Sequence, residues 1–472
     1  MGGGPGGYIA AIRAARLGAR VTVVENDNLG GTCLNWGCIP TKALQATARA
    51  IETTRRLETF GVKWSGRIQP EMDAIMVRKQ KVVDTLVTGI AKAFDKNGIR
   101  LVRGRGRVLD VGRVRVDCED GSSVDIEGER LILATGSRPL DFPAFPFDGT
   151  RILSSNDALT LQDIPGEILI IGGGVIGSEF AFILNEFGSR VTVVEALDRV
   201  VGLPSVDVDV SKTLGREFKK KKIKLYLNRT VVRAEATTDN RVQVTLGPSP
   251  FLKPATEKDK KEIELVVDKV LVTIGRQPNT EDLGLETIGL APDSRGWLTA
   301  NDRMETDVPG VYAIGDVLGP AKIMLAHVAS TEGLVAAENC VGGHRIMRYN
   351  AVPSAIFTFP EIADVGLTEA QAGDLGLACR ADTFLFRDLG KSQALGEIAG
   401  QVKIVSEIGT GKILGTHIIG PHAADLIAEA TLAVQLGATV KDLAATIHAH
   451  PSLSEAVAET AHAALGFPLH GG

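Results

Sequence analysis

One stretch of the sequence occurs twice, and this repeat constrains the fold more than any other feature. Residues 2–25 and 172–195 align without a gap, and both end in Arg-Val-Thr-Val-Val-Glu. Each copy has a G-x-G-x-x-G pattern, a helical segment and a strand that ends in an acid: Gly2, Gly4, Gly7 and Glu25, then Gly172, Gly174, Gly177 and Glu195. Such glycines let the backbone approach a pyrophosphate, and the acid accepts a ribose hydroxyl. A single pattern is weak evidence, but two with matched spacing predict two dinucleotide-binding domains.

The two copies differ in what precedes them. An apolar strand at 168–171 leads into the second copy, whereas Met1 directly precedes Gly2 in the first. That strand is central in a doubly wound sheet. We therefore expect the first domain to lack its first strand, because the start is truncated or misassigned, and we expect the chain as written to bind its first nucleotide weakly.

Two cysteines, Cys33 and Cys38, follow the first repeat within GGTCLNWGCIPTK. The flanking glycines favour a turn into a helix, with Thr32 as its cap. On a regular helix, Cα atoms five residues apart are about 8–9 Å apart, whereas a disulfide needs roughly 4.4–6.8 Å. A bridge therefore requires a distorted first turn, which Gly37 makes easier. The positive end of the helix dipole would make the reduced pair reactive.

Other interpretations of the cysteines are inert buried thiols and half of a zinc site. No second cysteine pair has the spacing of a zinc site, so we predict no metal. With five cysteines in 472 residues, the chain is too poor in cysteine for a disulfide scaffold. The net charge of -5 argues against general nucleic-acid binding, and the sequence has no 18-residue apolar run that would span a membrane.

The remaining sequence predicts the order of the domains. Residues 41–58 and 70–97 have helical character, and residues 100–127 alternate like short antiparallel strands. A charged hairpin is predicted at 253–263. From about Tyr349, short strands and then helices at 423–436 and 453–465 predict an antiparallel sheet with helices. The expected boundaries are 1–149 and 276–348 for the two parts of the first dinucleotide domain, 150–275 for the second, and 349–472 for the last.

Two further segments hold polar candidates. Asp316 follows a strand that starts at Val311, and it is either a turn residue or an acceptor for the sugar chain of a flavin. His450 and Glu455 lie in HAHPSLSEA. Ser452 and Glu455 have capping-box spacing, so a capping role for Glu455 stays open.

Taken in order, GGTCLNWGCIPTK, the two fingerprints, ATGSRP, GRQPN, YAIGD and HAHPSLSEA resemble the pyridine nucleotide–disulfide oxidoreductases, class I. The resemblance covers nearly the whole chain. It implies an α/β fold with two Rossmann-like dinucleotide-binding domains and a C-terminal α+β dimerisation domain, with FAD at the first site and NAD at the second. Glu195 also favours NAD by itself, because an acid there repels the 2′-phosphate of NADP.

Within the family, the cysteine stretch and the HAHPSLSE segment look most like members that oxidise protein-bound dihydrolipoamide with NAD⁺. The resemblance then implies a homodimer that works with the lipoyl domains and cores of 2-oxo acid dehydrogenase complexes or of glycine cleavage. It implies that His450, oriented by Glu455, serves the partner's disulfide, and that Lys42 pairs with Glu179 near the flavin. A substrate thiolate would attack Cys33, the exposed sulfur, and release Cys38 as a thiolate.

The resemblance also assigns the cofactor contacts. FAD would contact Gly2, Gly4, Gly7, Glu25, Gly31, Thr32, Lys42, Thr135, Gly136, Asp316 and His327. NAD would contact Gly172, Gly174, Gly177, Glu195 and Gly275. Two alternatives remain: another disulfide reductase of the family, of the glutathione type, and a mainly structural subunit of a 2-oxo acid dehydrogenase complex. The sequence shows no leader, which predicts a cytoplasmic protein, or an organellar one if the start is truncated.

Overall fold

The computed structural model describes residues 1–252, 256 and 260–470. Most of the charged hairpin expected at 253–263 lies outside these residues. The N-terminal part holds α1 (Pro5–Arg16), β1 (Thr22–Glu25), α2 (Gly31–Asn35), α3 (Cys38–Arg55), α4 (Met72–Lys96), β2 (Arg100–Arg103), β3 (Arg105–Asp110), β4 (Arg113–Asp117), β5 (Ser123–Glu127), β6 (Leu131–Leu133) and β7 (Ser137–Pro139).

The middle of the chain holds the second dinucleotide-binding unit and the return to the first. Its elements are β8 (Ile152–Leu153), α5 (Ser155–Ala158), β9 (Glu167–Ile171), α6 (Val175–Phe187), β10 (Arg190–Val194), α7 (Val208–Lys220), β11 (Lys224–Tyr226), β12 (Arg229–Ala236), β13 (Val242–Pro248), β14 (Ile263–Val267), β15 (Lys269–Val272), β16 (Arg276–Pro278), β17 (Val311–Ala313) and α8 (Ala326–Cys340).

The C-terminal part forms a third unit. Its elements are β18 (Ser354–Ile356), β19 (Glu361–Gly366), α9 (Glu369–Asp374), β20 (Cys379–Leu385), α10 (Gly390–Leu395), β21 (Gln401–Glu407), β22 (Ile413–Gly420), α11 (Ala423–Leu436), α12 (Val440–Ala445) and α13 (Glu455–Ala464). Short 3₁₀ helices lie at Leu57–Phe60, Leu285–Ile288, Gly315–Ala321 and Phe386–Asp388.

The second fingerprint has the complete sheet that its sequence predicts. Five parallel strands lie in the order β11-β10-β9-β15-β8, with β9 in the centre. The apolar side chains from Ile168 to Ile171 are buried, as in parallel strands that are covered on both faces. The chain leaves β9 through the glycine loop and enters α6, which places the start of α6 at the carboxyl edge of the sheet.

The first fingerprint lacks the equivalent of β9. Strand β1 pairs with β2 and strand β6 pairs with β17, but they form two separate two-stranded sheets. The start of the chain lies between them: the Met1 ammonium donates to Ile132 O at 2.8 Å, and Gly2 N–H donates to Val24 O at 2.8 Å. Met1–Gly2 thus holds the place that the end of β9 holds in the second unit.

The expectation that residues 100–127 form only antiparallel strands was wrong for the first of them. Strand β2 runs parallel to β1, while β3, β4 and β5 form the antiparallel sheet. The helices between β1 and β2 explain the difference, because parallel neighbours need a long crossover connection.

An antiparallel sheet in the order β18-β19-β22-β21-β20 forms the core of the C-terminal unit, and α11 and α13 contribute to the same core. We did not predict β19, because Glu361 and Asp364 interrupt its apolar pattern; Asp364 is nevertheless buried. No helix in the described ranges is long and apolar enough to cross a membrane.

Candidate active site

The two cysteines lie on either side of a break between helices. Helix α2 ends at Asn35 and α3 begins at Cys38, so Trp36 and Gly37 interrupt the helical backbone. The Cys33 and Cys38 side chains interact directly with each other. The predicted distortion of the first turn is therefore present, and it brings the two sulfurs within reach of each other.

One local expectation was wrong. Thr32 does not cap the helix, because α2 already begins at Gly31 after Gly30, whose φ of 93° starts the turn; the Thr32 hydroxyl instead lies 3.5 Å from Ser137 O. Cys33 is half-buried in the single chain. Cys33 lies inside α2, whereas Cys38 lies at the open end of α3.

The two thiols differ in acidity. The interaction with Cys33 and the positive charge of Lys42 together lower the pKa of Cys38 to about 7. The interaction with Cys38 and burial raise the pKa of Cys33. At neutral pH the proton therefore stays on Cys33, and Cys38 is a thiolate in a large share of the molecules.

Lys42 and Glu179 meet as predicted. The Lys42 Nζ atom lies 2.9 Å from each carboxylate oxygen of Glu179, which belongs to α6. The same carboxylate accepts the Phe357 N–H at 2.9 Å, and Lys42 Nζ lies 4.3 Å from the centre of the Phe357 ring. One ion pair thus joins the redox helix, the second dinucleotide unit and the start of the C-terminal unit.

The glycine loops fit the pyrophosphates of two dinucleotides. Gly4 and Gly174 are the N-caps of α1 and α6, and neither helix has a side-chain cap. Both helix starts therefore present backbone N–H groups to an anion. A Cβ atom on Gly7 or Gly177 would lie 1.9 Å from the carbonyl oxygen of the first loop glycine. The repeated glycines are thus required by the tight approach of helix and strand.

The two strand-terminal acids make the same contacts. Glu25 accepts the N–H of Gly3 at 2.6 Å, and Glu195 accepts the N–H of Gly173 at 2.6 Å. Each also accepts an N–H two residues further along the chain, at 2.8 Å. Both carboxylates are thereby fixed at the edge of a glycine loop, where the ribose of a bound dinucleotide lies.

Strands β6 and β17 bring the other flavin candidates together. The Ser137 hydroxyl donates to Asp316 Oδ2 at 2.7 Å. The hydroxyl of Thr135 is buried and has no hydrogen-bond partner in the described part of the chain, and Gly136 has a φ of 70°. A polar ligand group at this edge would satisfy the Thr135 hydroxyl, so these residues fit the sugar chain of a flavin.

Gly275 and His327, the remaining predicted cofactor contacts, lie after a strand and at the start of a helix, respectively. Gly275 follows β15 and has a φ of 144°, a conformation that L side chains rarely adopt. Helix α8 begins at Ala326, and the His327 ring lies 2.8 Å from Pro353 O.

We had not singled out Ser137 and Arg276, although both lie in quoted motifs. Arg276 Nε donates to the Ser137 hydroxyl at 2.6 Å, and Nη2 donates to Ser137 O at 2.7 Å. Arg276 opens β16, which pairs with β7. The polar residues next to the glycine of each motif are the signal that would have identified them.

Two sequence profiles cover most of the chain. Residues 1–333 match the pyridine nucleotide-disulphide oxidoreductase profile, and residues 352–461 match the dimerisation domain of the same family. The chain belongs to the pyridine nucleotide-disulphide oxidoreductases. It therefore uses FAD and NAD, and the two glycine loops described above fit these groups.

The chain aligns with similar proteins over its whole length. It is 42% identical to the dihydrolipoyl dehydrogenase of Chlamydia muridarum over 472 residues, which cover 100% of this chain and 97% of the relative. It is 40% identical to the dihydrolipoyl dehydrogenase of Bacillus subtilis, with 100% and 98% covered. A mitochondrial dihydrolipoyl dehydrogenase of Arabidopsis thaliana is 39% identical, with 100% and 90% covered.

Solved structures of similar proteins superimpose on most of the chain. LpdA of Mycobacterium tuberculosis is 30% identical, with a TM-score of 0.88 and 98% of each chain covered. The HOCl-induced flavoprotein disulfide reductase RclA of Escherichia coli is 27% identical, with a TM-score of 0.83 and the same coverage.

His450 and Glu455 meet within the segment that matches the dimerisation domain. The Nδ1 atom of His450 lies 2.8 Å from Glu455 Oε1, and Glu455 Oε2 accepts the Ser452 N–H at 2.8 Å. Helix α13 begins at Glu455 after Ser454, so Ser452 is not its N-cap and only half of a capping box is present. The His450 side chain is 80% exposed. Its ring is thus oriented through one nitrogen and open at the other.

Proposed function

We propose that this chain oxidises protein-bound dihydrolipoamide to lipoamide with NAD⁺ through a redox couple of Cys33 and Cys38. One observation carries the proposal: the Cys33 and Cys38 side chains meet across a helix break, and the Lys42–Glu179 ion pair places a cation one helical turn after Cys38. The cation lowers the pKa of Cys38. This is expected of a reactive dithiol, because a low-pKa thiol leaves readily from a disulfide.

The first step is proton removal by His450. Since Nδ1 faces Glu455, Nε2 is the nitrogen that takes the proton of a dihydrolipoyl thiol. Although partial burial opposes it, hydrogen bonds from Ser452 N–H and His450 hold the pKa of Glu455 below its usual range. The carboxylate therefore stays charged and stabilises the imidazolium.

The second step is thiol–disulfide exchange. The substrate thiolate attacks the Cys33 sulfur of the oxidised pair; the Cys33–Cys38 bond breaks, and Cys38 leaves as a thiolate near Lys42. The second substrate thiol then attacks the substrate sulfur bound to Cys33 and passes its proton to the departing Cys33 sulfur, while His450 keeps the first proton. The substrate thereby closes to lipoamide. The difference in pKa makes Cys38 the better leaving group, which favours attack on Cys33.

The cofactors complete the cycle. Bound FAD and NAD supply the two-electron transfer that takes the reducing equivalents of the Cys33–Cys38 dithiol to NADH. The chain holds them with the glycine loops, Glu25 and Asp316 at the first site and Glu195 at the second. Glu195 offers a carboxylate to a ribose hydroxyl and repels a 2′-phosphate, which selects NAD over NADP.

We also propose that the protein is a homodimer, formed through the C-terminal unit, that serves 2-oxo acid dehydrogenase complexes or glycine cleavage. Large apolar side chains are exposed there: Leu432 and Leu436 on α11, and Ile447 just before the His450 segment, which is 98% exposed. A partner that covers them would lie beside His450. His450 would then act on the cysteine pair of that partner.

The test is NADH formation by the purified chain with dihydrolipoamide, NAD and added FAD. We expect turnover with NAD and little with NADP. The Cys38→Ser variant should lose NAD-dependent turnover. The Cys379→Ser variant should keep this turnover, because Cys379 lies outside the redox stretch. If flavin binds but dihydrolipoamide gives no turnover, the substrate assignment is wrong; disulfide reduction with NADPH would then support a glutathione-type reductase.

A further inference from the structure

The position of Asp316 depends on the turn that Gly315 makes directly before it. Strand β17 ends with Ile314 N–H bonded to Leu133 O at 3.0 Å, and Gly315 then turns the chain with a φ of 73°. Asp316 follows at once and meets Ser137. The conformation of Gly315 therefore places the Asp316 backbone, and Ser137 and Arg276 contact its carboxylate.

A buried acid holds this turn. Glu332 of α8 is 1% exposed, and its Oε2 accepts the Gly315 N–H at 2.6 Å. Its other oxygen accepts the Tyr349 hydroxyl at 2.7 Å. Burial raises the pKa of Glu332, and the bonds from Tyr349 and Gly315 oppose that rise. Such a carboxylate is costly to bury, so its two bonds indicate a specific role.

The position of Glu332 is fixed from the other side by α1. The next residue, Gly333, packs against α1 so closely that a Cβ atom there would lie 2.5 Å from Gly6 O. Helix α8 thus cannot slide along the helix of the first fingerprint. Helix α8 therefore holds Glu332 at a fixed position along the axis of α1, beside the loop that would bind the pyrophosphate.

We infer that Glu332 is a positioning residue for FAD: by holding the Gly315 turn, it aims Asp316 at the sugar chain of the flavin. Tyr349 occupies the second oxygen of Glu332 and keeps the first on Gly315. This inference rests on the proposed function in one respect, namely that Asp316 contacts FAD. Glu332 itself touches no reacting atom, and it acts only through the backbone of the turn.

The experiment measures FAD binding directly. The full-length apoprotein, freed of flavin, is titrated with FAD and followed by flavin fluorescence. We expect Glu332→Ala to raise the FAD dissociation constant about tenfold to a hundredfold, as for the loss of a hydrogen bond to a charged group. Glu332→Gln keeps an acceptor for Gly315 N–H and should bind FAD almost as the wild type does.

Asn339→Ala is the matched control on the same helix. Asn339 is buried, and its amide bonds Arg303 O and Arg345 O, away from Gly315. We expect it to lower the melting temperature but to leave FAD affinity within about threefold, since a buried hydrogen bond affects stability wherever it lies. An equal loss of FAD affinity in Asn339→Ala and Glu332→Ala would overturn the inference.

A double-mutant cycle with Asp316→Ala tests whether Glu332 affects FAD binding through Asp316. If Glu332 acts through Asp316, Glu332→Ala should have little further effect on FAD affinity once Asp316 is gone. The inference would be overturned if the two substitutions lowered FAD affinity additively. It would also be overturned if Glu332→Ala bound FAD as tightly as the wild type, or if Glu332→Gln bound FAD as weakly as Glu332→Ala. If the wild-type chain itself bound no FAD, the proposed function would fail, and the inference with it.

Discussion

Lys42 and Glu179 belong to different units of the fold, yet Lys42 Nζ lies 2.9 Å from both oxygens of the Glu179 carboxylate. Lys42 stands one helical turn after Cys38, so the pair fixes a cation beside the thiolate. Helix α6, which the second fingerprint positions, therefore sets the electrostatic environment of the redox pair. The acidity of Cys38 depends in this way on the relative placement of the two dinucleotide units.

Lys42→Met should raise the pKa of Cys38 above its value of about 7, because the charge of Lys42 favours the thiolate. At neutral pH the reduced enzyme should then hold less thiolate and react more slowly with iodoacetamide. The measurement is the alkylation rate as a function of pH, and its midpoint should move to higher pH. Lys42→Arg keeps the charge and serves as the control. An unchanged midpoint in Lys42→Met would show that the cation has no part in the acidity of Cys38.

His450→Gln should lose about 10²–10⁴-fold of dihydrolipoamide turnover, the usual contribution of a general base. Reduction of an artificial acceptor by NADH should persist, because it needs no proton from a substrate thiol. His470→Gln is the matched control, since His470 is an exposed histidine that also pairs with a glutamate, Glu459, at 2.7 Å. If both variants lost turnover equally, the result would show that His450 has no specific role in the reaction.

The sequence predicted the elements whose chemistry is local. Both glycine loops and the helix break at Gly37 follow from residues close together in the chain. His450 and Glu455 are also close in the chain, but their spacing left a capping role for Glu455 open, and their pairing was expected from the family resemblance. The pairing of Lys42 with Glu179 joins residues 137 positions apart, and it was expected only because of the family resemblance. The cytoplasmic location stays a prediction.

What the sequence could not predict are contacts that depend on the register between distant elements. Glu332 bonds to Gly315 across 17 positions, and the next residue, Gly333, packs against Gly6 of a third segment. The only local sign of Glu332 is an acid within the apolar pattern of α8. The parallel pairing of β2 was missed for a similar reason, since alternation along one strand does not reveal the direction of its neighbour.

Glu195→Gln should weaken the preference for NAD over NADP. The amide can still accept the Gly173 N–H, but it no longer repels a phosphate. We expect the ratio of kcat/KM for NAD to that for NADP to fall about tenfold, the effect of a change near 1.4 kcal/mol. Asp198→Asn removes an exposed charge three residues further on and should leave the ratio unchanged. A ratio that falls equally in both variants would point to general charge rather than to a ribose contact.

Lys403 should matter for stability rather than for catalysis. Its side chain is 4% exposed, and Nζ lies 3.0 Å from buried Asp207 and 3.1 Å from Asp209, at the start of α7. Lys403→Met would leave the Asp207 carboxylate buried without its cation, which lowers the free energy of unfolding by about 3–5 kcal/mol. Urea unfolding measures this loss. Lys212→Met removes an exposed lysine 3.3 Å from Asp209 and should change the value by less than about 1 kcal/mol.

The pH dependence of this effect has a definite sign. Although partial burial opposes it, hydrogen bonding to Lys403 holds the pKa of Asp209 below its usual range. A carboxyl group with a lowered pKa stabilises the fold above its unfolded-state value, and this contribution is lost as the pH falls through the folded-state value. The difference between wild type and Lys403→Met should therefore be full at neutral pH and shrink on acidification below about pH 4. A difference that stayed constant through this range would show that Lys403 stabilises the fold by packing alone.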